Sequence, residues 1–202
     1  MKIGSAEFLR SVVEPSGLLG DGEPEIAFAG RSNVGKSTLL NALLGRKIAR
    51  TSSTPGRTQA INYFRVNDRF RFVDLPGFGY ARASKDARRQ WAEIIGEYLR
   101  RPHERRMVVH LVDARVGATP LDEQAGEYFD DLGLPRVVAA TKIDDVKRGA
   151  RARQLQEIVR ALRLGSPAPL VAVSAQSGEG IRELWKSITE FLAREGPPQS
   201  KG

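Results

Sequence analysis

Residues 30–37 read GRSNVGKS. This stretch fits the pattern G-x-x-x-x-G-K-[ST], which indicates a phosphate-binding loop only when it lies between a strand and a helix. A short apolar run at residues 25–29 predicts a strand directly before it, and apolar residues at helical spacing in 37–44 predict a helix directly after it. Strand, glycine bend and helix in this order predict a loop whose backbone N–H groups converge on phosphate oxygens.

The side chains of this loop have distinct expected roles. Gly30 and Gly35 let the backbone approach the phosphates, Lys36 brings a positive charge to the terminal phosphates, and the Ser37 hydroxyl is suited to ligate Mg²⁺. The alternative is an ordinary glycine turn that carries a surface lysine.

Beyond the loop, strand patterns and helix patterns take turns along the chain. Alternating segments at 59–66 and 69–74, joined by Asn67-Asp68, predict a hairpin at the edge of the sheet. The later strands are continuous apolar runs, as in parallel strands covered on both faces. The fold class is therefore α/β, doubly wound, with a mostly parallel six-stranded sheet, one antiparallel edge strand and helices on both faces. The predicted later helices are 84–100, 121–132, 146–164 and 181–193, and the later strands are 107–113, 136–141 and 170–174.

Length and composition narrow the class of protein further. A chain of 202 residues suits one domain, which we expect at 23–195 between an irregular arm at 1–22 and a flexible tail at 196–202. With no Cys, the chain has no disulfide and no thiol chemistry, and no apolar run reaches the ~18 residues of a membrane span. We expect a cytoplasmic protein with no membrane contact. The net charge of +8 fits either a nucleic-acid partner or a solvated basic surface.

A second motif, DLPG at residues 74–77, follows the last strand of the predicted hairpin and is expected to complete a phosphate and metal site. The Asp74 carboxylate could hold a metal-bound water beside Ser37, and the Gly77 N–H could sense a terminal phosphate. Between the two motifs lies a segment rich in Ser, Thr, Pro and Gly, from which Thr58 is the expected second Mg²⁺ ligand. Residues 56–60 are expected to fold over the phosphates.

The choice of base is also encoded near the ends of two later strands. The Asp144 carboxylate can accept two hydrogen bonds from guanine, whereas adenine lacks the exocyclic amine that would make the second bond. Lys142 is expected to pack its stem along the base. The small residues at 173–175 offer backbone N–H groups to the guanine oxygen.

Four segments together resemble one known family. They read PEIAFAGRSNVGKS at 24–37, TPGRTQ at 54–59, DLPGFGYA at 74–81 and TKID at 141–144. They are similar to the translation-factor-related P-loop GTPases and, more narrowly, to the bacterial EngB family, also called YihA or YsxC. The resemblance implies a Ras-like P-loop GTPase fold that binds GTP or GDP with Mg²⁺. It also implies a monomeric switch in assembly of the large ribosomal subunit, with rRNA and ribosomal proteins as partners, whose loss disturbs cell division and septation.

The expected site residues follow from these motifs. The catalytic set is Asn33, Lys36, Thr58 and Gly77, and the expected metal ligands are Ser37 and Thr58. The nucleotide-binding set is Gly30, Arg31, Ser32, Asn33, Val34, Gly35, Lys36, Ser37, Gly56, Arg57, Thr58, Gln59, Ala60, Asp74, Leu75, Pro76, Gly77, Thr141, Lys142, Ile143, Asp144, Val173, Ser174 and Ala175. Thr141 stands where many GTPases have Asn, and we expect it to loosen one link between the base pocket and the phosphate loop.

Hydrolysis is expected to be slow without help. Phe78 follows Gly77, where signalling GTPases often place a water-orienting Gln, and a phenyl ring cannot form those hydrogen bonds. Families with such a hydrophobic substitution often recruit K⁺, and Asn33 resembles the residue that helps hold it. An alternative is that Arg57 acts as an internal arginine finger.

Two other function classes stay open at this point, as do several residue roles. One is an RNA-binding assembly module in which the nucleotide is structural, and the other is a nucleotide kinase. His110 is interpreted as a satisfied core histidine, and Trp185 as a packing residue rather than a stacking platform for RNA. Asp113 and Arg115 are consistent either with a turn cap or with a partner contact.

Overall fold

The computed structural model describes residues 2–49, 60–79, 85–101, 105–166 and 168–194, with the backbone alone at 85–92. In the described part, strands and helices alternate through most of the chain. The strands are β1 (Ala6–Val12), β2 (Glu25–Gly30), β3 (Ile61–Val66), β4 (Phe70–Asp74), β5 (Arg106–Asp113), β6 (Arg136–Thr141) and β7 (Leu170–Ala172). The helices are α1 (Lys36–Leu44), α2 (Lys85–Arg100), α3 (Pro120–Asp131), α4 (Arg148–Ala161) and α5 (Ile181–Arg194). None of these helices is both long and apolar enough to cross a membrane.

The strands form one sheet in the order β1-β3-β4-β2-β5-β6-β7. β4, β2, β5, β6 and β7 run parallel to one another, and β3 is antiparallel to both β4 and β1. The predicted α/β class is confirmed. The β3–β4 hairpin turns at Asn67 and Asp68, whose φ angles of 51° and 52° suit the tight turn that matches strand twist.

The N-terminal arm differs from the prediction, because part of it is a strand. β1 pairs with β3 and makes the sheet seven-stranded instead of six-stranded, so the antiparallel strand lies one place in from the edge. β1 buries only Ala6 and Val12, and therefore lacks the apolar pattern that reveals a strand. It is held by partners that are distant in sequence: the Asn67 side chain accepts hydrogen bonds from the N–H groups of Gly4 and Ser5 at 2.7 and 3.2 Å.

Both faces of the sheet are covered by helices, because alternate residues of each strand point to opposite sides. From β2, Phe28 packs in the core under α1 and α5, whereas Ala27 packs in the core under α2 and α3. On the first face, Trp185 of α5 stacks on Phe72 of β4 with ring centroids 5.5 Å apart, which confirms its packing role. A third cluster under α4 contains Val138 of β6.

A buried charged network fixes the end of the sheet opposite the phosphate loop. Arg106 donates to the Glu25 carboxylate through Nε and Nη2 at 3.1 and 3.0 Å, and Tyr98 of α2 donates to the same oxygen at 3.0 Å. The Arg106 guanidinium also lies 3.9 Å from the centre of the Tyr98 ring. These contacts attach the C-terminal part of α2 to the starts of β2 and β5.

His110 occupies a central position of β5 and is fully buried. Its ring packs edge-on against Phe129 of α3, with centroids 5.4 Å apart, and Nδ1 lies 3.5 Å from Nη1 of Arg136. The predicted core position is confirmed. The ring is only half satisfied, however, since Nε2 has no hydrogen-bond partner within the described residues.

Burial, together with the nearby charge of Arg136, lowers the pKa of His110 from 6.5 to about 3. The unfolded chain therefore binds a proton at this residue that the folded protein rejects. Stability should fall as the pH falls below 6.5, by up to about 1.4 kcal/mol per pH unit from this group.

We predict that His110→Phe flattens this dependence between pH 6.5 and about 5, above the range in which carboxylates such as Asp113 titrate in the unfolded chain. The measurement is chemical denaturation of wild type and variant across that range. Because His103 is present in both proteins, the difference between their slopes isolates His110. Parallel curves would show that His110 does not control this pH dependence.

Candidate functional site

The phosphate loop forms a tight bend between β2 and α1. A Cβ on Gly30 would lie 2.9 Å from the Leu111 carbonyl oxygen, so only glycine fits between β2 and β5. Gly35 caps α1 with φ +97°, and Asn33 also has a positive φ of 65°. A glycine bend of this kind directly before a helix N-terminus is suited to bind an anion through backbone N–H groups.

Lys36 and Asp74 meet beside this loop. The Lys36 ammonium forms an ion pair with Asp74 Oδ1, and both side chains are 12% exposed. Asp74 is brought there by the parallel pairing of β4 with β2, in which it lies opposite Phe28. The two motifs predicted to share one site are thus adjacent.

The segment after Asp74 returns to the phosphate loop. Phe78 donates its N–H to the Gly30 carbonyl at 3.2 Å and accepts from the Ser32 N–H at 3.1 Å. A Cβ on Gly77 would be 3.1 Å from the Ser32 nitrogen, so Gly77 packs directly against the loop. The Phe78 ring lies 6.4 Å from the ring of His110. Gly77 therefore occupies the predicted place beside the phosphate loop.

A pocket of about 210 Å³ opens where the phosphate loop, the β6–α4 loop and the segment after β7 meet. The predicted residues that line it are Gly35, Thr141, Lys142, Asp144, Val173, Ser174 and Ala175. Residues that the sequence analysis missed also line it: Thr38, Leu39, Asp145 and Gln176. Thr38 and Leu39 could have been expected from their place in the first turn of α1, and Asp145 and Gln176 from their place directly after predicted residues.

The loop after β7 offers fewer free amides than predicted. Val173 donates its N–H to the Ala140 carbonyl at 2.8 Å, and Ser174 donates to the Glu179 carbonyl at 2.9 Å. These two amides are engaged in holding the loop, so the prediction that they face guanine is wrong. Ala175 remains the candidate donor of the three.

Some predicted nucleotide-binding residues serve the surrounding structure instead. The side chains of Leu75 and Ile143 are 1% exposed and pack in the core. Arg31 extends away from the loop toward α3, where its Nε lies 3.4 Å from the fully buried Asp122 carboxylate. Ala60 lies just before β3, outside the pocket lining. The other predicted residues of that segment, Gly56, Arg57, Thr58 and Gln59, lie outside the described residues.

Thr141 ties the base pocket to the phosphate loop. Its hydroxyl donates a hydrogen bond to the Val34 carbonyl oxygen at 2.7 Å and lies 3.2 Å from the Val112 carbonyl oxygen. Thr141 is 4% exposed, so this is a buried hydrogen bond. The expectation that Thr141 loosens the link is wrong, because its shorter side chain makes the connection itself.

Lys142 makes a second connection between the same loops. It adopts a left-handed conformation with φ +57°, and its ammonium donates to the Asn33 carbonyl at 2.7 Å and to Asp113 Oδ2 at 2.8 Å. Burial of Asp113 opposes its ionisation, but hydrogen bonds from Arg115 and Lys142 outweigh that effect and lower its pKa from 3.8 to about 2. Asp113 therefore carries a full negative charge at neutral pH.

The residues present fit a magnesium ion that binds together with phosphates. Within the described ranges, His, Cys, Asp and Glu side chains form no cluster of three or more that could hold a metal alone. Ser37 and Asp74 supply one hydroxyl and one nearly buried carboxylate beside the phosphate loop. Mg²⁺ commonly keeps several waters and takes the rest of its ligands from substrate phosphates, so two protein groups suffice.

A phosphate loop, an acidic strand end beside it and a base pocket with Asp144 define a GTP-binding protein of the P-loop GTPase class. The comparisons agree with this class. A family model described as "50S ribosome-binding GTPase" matches residues 25–142, and one described as "Elongation factor Tu GTP binding domain" matches residues 100–194.

Relatives narrow the class to one family. "Probable GTP-binding protein EngB" of Pelotomaculum thermopropionicum is 46% identical over 197 residues, which cover 97% of this chain and 100% of that protein. A crystal structure of a probable GTP-binding protein engB superposes with a TM-score of 0.72 at 26% identity, over 84% of this chain and 99% of that one. Era, solved with MgGDPNP and nucleotides 1506–1542 of 16S ribosomal RNA, gives a TM-score of 0.65 at 27% identity over 89% of this chain and 58% of that one. The chain belongs to the EngB family of GTP-binding proteins and is a GTPase.

We predict that Thr141→Val weakens the link between base pocket and phosphate loop. Valine has a similar shape but leaves the Val34 carbonyl without its buried donor, which should cost about 1 to 3 kcal/mol of stability. GDP should also leave the variant faster than wild type. Thr141→Ser keeps the hydroxyl and is the control. Equal unfolding free energies and GDP release rates in the two variants would contradict the role of this hydrogen bond.

Proposed function

We propose that this protein is a GTP-controlled switch that acts on the large ribosomal subunit or its precursor, with rRNA and ribosomal proteins as partners. The GTP-bound form binds the particle, and hydrolysis to GDP and phosphate sets the time of release. The working form is a cytoplasmic monomer. Normal cell division and septation depend on it.

The observation that carries the switch is the backbone contact between Phe78 and the phosphate loop. The Phe78 N–H donates to the Gly30 carbonyl and the Phe78 carbonyl accepts from the Ser32 N–H, which joins the segment after Asp74 to the loop that receives the phosphates. Lys36 is held by Asp74 at the same place. A terminal phosphate attracts the Lys36 ammonium and the Gly77 N–H, so its presence or loss changes the position of residues 77–79.

The chain's own residues divide the work of nucleotide binding. The amides of the phosphate loop bind the phosphate oxygens, Lys36 neutralises the terminal phosphates, and Asp144 orients the base. Ser37 and Thr58 would hold Mg²⁺ and Asp74 would hold one of its bound waters, and the ion would supply positive charge to the phosphates. Thr141 and Lys142 keep the base loop and the phosphate loop in one arrangement.

We expect the intrinsic rate to be low and to depend on K⁺. The Phe78 ring lies near His110, and because it has no hydrogen-bond donor or acceptor it cannot orient the attacking water. Asn33, exposed in the phosphate loop, supplies the oxygen that would hold K⁺ near the charge that develops on the leaving phosphates.

Replacement of K⁺ by Na⁺ at constant ionic strength should lower kcat about tenfold, because a preorganised positive group near the developing charge is lost. Asn33→Gly accepts the same positive φ but lacks the side-chain oxygen, so it should turn over slowly in both salts. GDP affinity is measured alongside, to show that the variant still binds nucleotide. Equal wild-type rates in K⁺ and Na⁺ would refute the K⁺ requirement.

The ribosomal partner is supported by charge and by the relatives. The chain carries a net charge of +8, as suits a polyanionic particle. The family model is described as a 50S ribosome-binding GTPase, and the similar protein Era was solved with a 16S ribosomal RNA segment.

The test is sedimentation of the full chain with large ribosomal subunits and their precursors, in a GTP analogue and in GDP, across a series of salt concentrations. We expect co-sedimentation in the GTP analogue only, weakened by salt as counterions compete. Lys36→Ala cannot hold the terminal phosphates, so it should co-sediment to the same extent in the GTP analogue and in GDP. Binding that is identical in GTP analogue and GDP would favour an RNA-binding module in which nucleotide is structural.

A further inference from the structure

We propose that Asp113 is a positioning residue for guanine recognition, which holds Lys142 directly and Asp145 through Arg115. It would thereby set both the residence time of the nucleotide and its preference for guanine. This inference rests on guanine occupying the pocket beside Asp144.

Asp113 is the last residue of β5 and is placed at the site by the sheet itself. In the register of β5 and β6 it lies opposite Thr141, and the Ala114 N–H donates to the Thr141 carbonyl at 2.9 Å. Its side chain is only 6% exposed. The carboxylate therefore sits on rigid strands, directly beneath the loop that recognises the base.

Both carboxylate oxygens of Asp113 are fully used. Oδ1 accepts from the Arg115 backbone N–H and from Arg115 Nε, each at 3.0 Å. Oδ2 accepts from Arg115 Nη2 at 2.9 Å and from Lys142 Nζ at 2.8 Å. A single buried charge thus orients two cations that belong to different loops.

The bond to Lys142 holds a strained residue. A lysine with φ +57° is in a region that non-glycine residues adopt only when surrounding contacts impose it. The contacts here are the two hydrogen bonds of its ammonium, to Asp113 and to the Asn33 carbonyl. Because Lys142 immediately precedes the turn at Ile143–Asp145, a change in its backbone would also move Asp144.

The bond to Arg115 affects the second carboxylate of the pocket. Asp144 and Asp145 both line the pocket, and they are adjacent carboxylates of the same charge. Arg115 Nη1 donates to Asp145 Oδ2 at 3.3 Å, so this carboxylate is paired with a cation of the β5–α3 loop. Asp144 is then the carboxylate available for the ring N–H and the exocyclic amine of guanine.

The first test compares Asp113→Asn with Asp131→Asn, which makes the same chemical change on an exposed position of α3. The full chain is titrated with GDP and with IDP, whose base lacks the exocyclic amine, and the release rate of a fluorescent GDP is recorded. We expect Asp113→Asn to lower the affinity for GDP about tenfold and the affinity for IDP by less, so that the preference for GDP shrinks. Release of the fluorescent GDP should also be faster. Asp131→Asn should match wild type.

A second pair of variants covers the case in which Asp113→Asn does not fold. Arg115 is 45% exposed, so Arg115→Ala should fold, and Arg153→Ala, at 78% exposed, is its control. Arg115→Ala releases Asp145 while the bond from Lys142 to Asp113 persists. It should therefore lower the ratio of GDP to IDP affinity with a smaller effect on release rate.

The ratio of the two affinities distinguishes positioning from a general structural role. Loss of stability alone would lower the affinities for GDP and IDP by the same factor and leave the ratio of the two affinities at the wild-type value. An unchanged ratio in every folded variant of Asp113 and Arg115 would overturn the inference. Failure of the wild-type chain to bind either nucleotide would instead overturn guanine binding itself.

Discussion

The close approach of the phosphate loop to β4 and β5 is the constraint on which the rest of the structure depends. Gly30 ends β2 where a Cβ would lie within 2.9 Å of a β5 carbonyl, and Gly77, after β4, packs against Ser32. Parallel strands bring all their carboxyl ends to one edge of the sheet. The acidic residue of β4, the acidic residue of β5 and the base loop after β6 therefore meet around one bend of backbone.

Charge at this edge is arranged in matched pairs. Lys36 pairs with Asp74 of β4, Lys142 pairs with Asp113 of β5, and Arg31 approaches Asp122 at the start of α3. Under the proposed switch, the phosphates of a bound nucleotide would compete with Asp74 for Lys36. The Lys142–Asp113 and Arg31–Asp122 pairs connect the base loop to β5 and the phosphate loop to α3.

The opposite end of the sheet supplies the rigid support. Glu25 and Arg106 pair at 3.0 Å with both side chains fully buried, and Tyr98 anchors α2 to the same carboxylate. Removal of one partner from such a buried pair leaves an uncompensated charge, so the network strongly favours one arrangement of β2, β5 and α2. The proposed response to nucleotide would therefore involve the loops at the carboxyl edge and not this end of the sheet.

Short-range patterns were sufficient to predict the phosphate loop, the helices around it, the parallel strands and the positions of Asp74 and Asp144, because each depends on residues close together in the chain. The sequence did not reveal β1, whose partners are 49 to 60 residues away and whose residues are mostly exposed. Nor did it reveal that Thr141 reaches Val34, 107 positions earlier, or that Asp113 holds Lys142. Those contacts exist only because the sheet brings distant strand ends together, and hydrogen-bond geometry then selects which side chains meet. Local spacing encodes a loop or a helix, whereas the partner of a buried charge is decided by the tertiary structure.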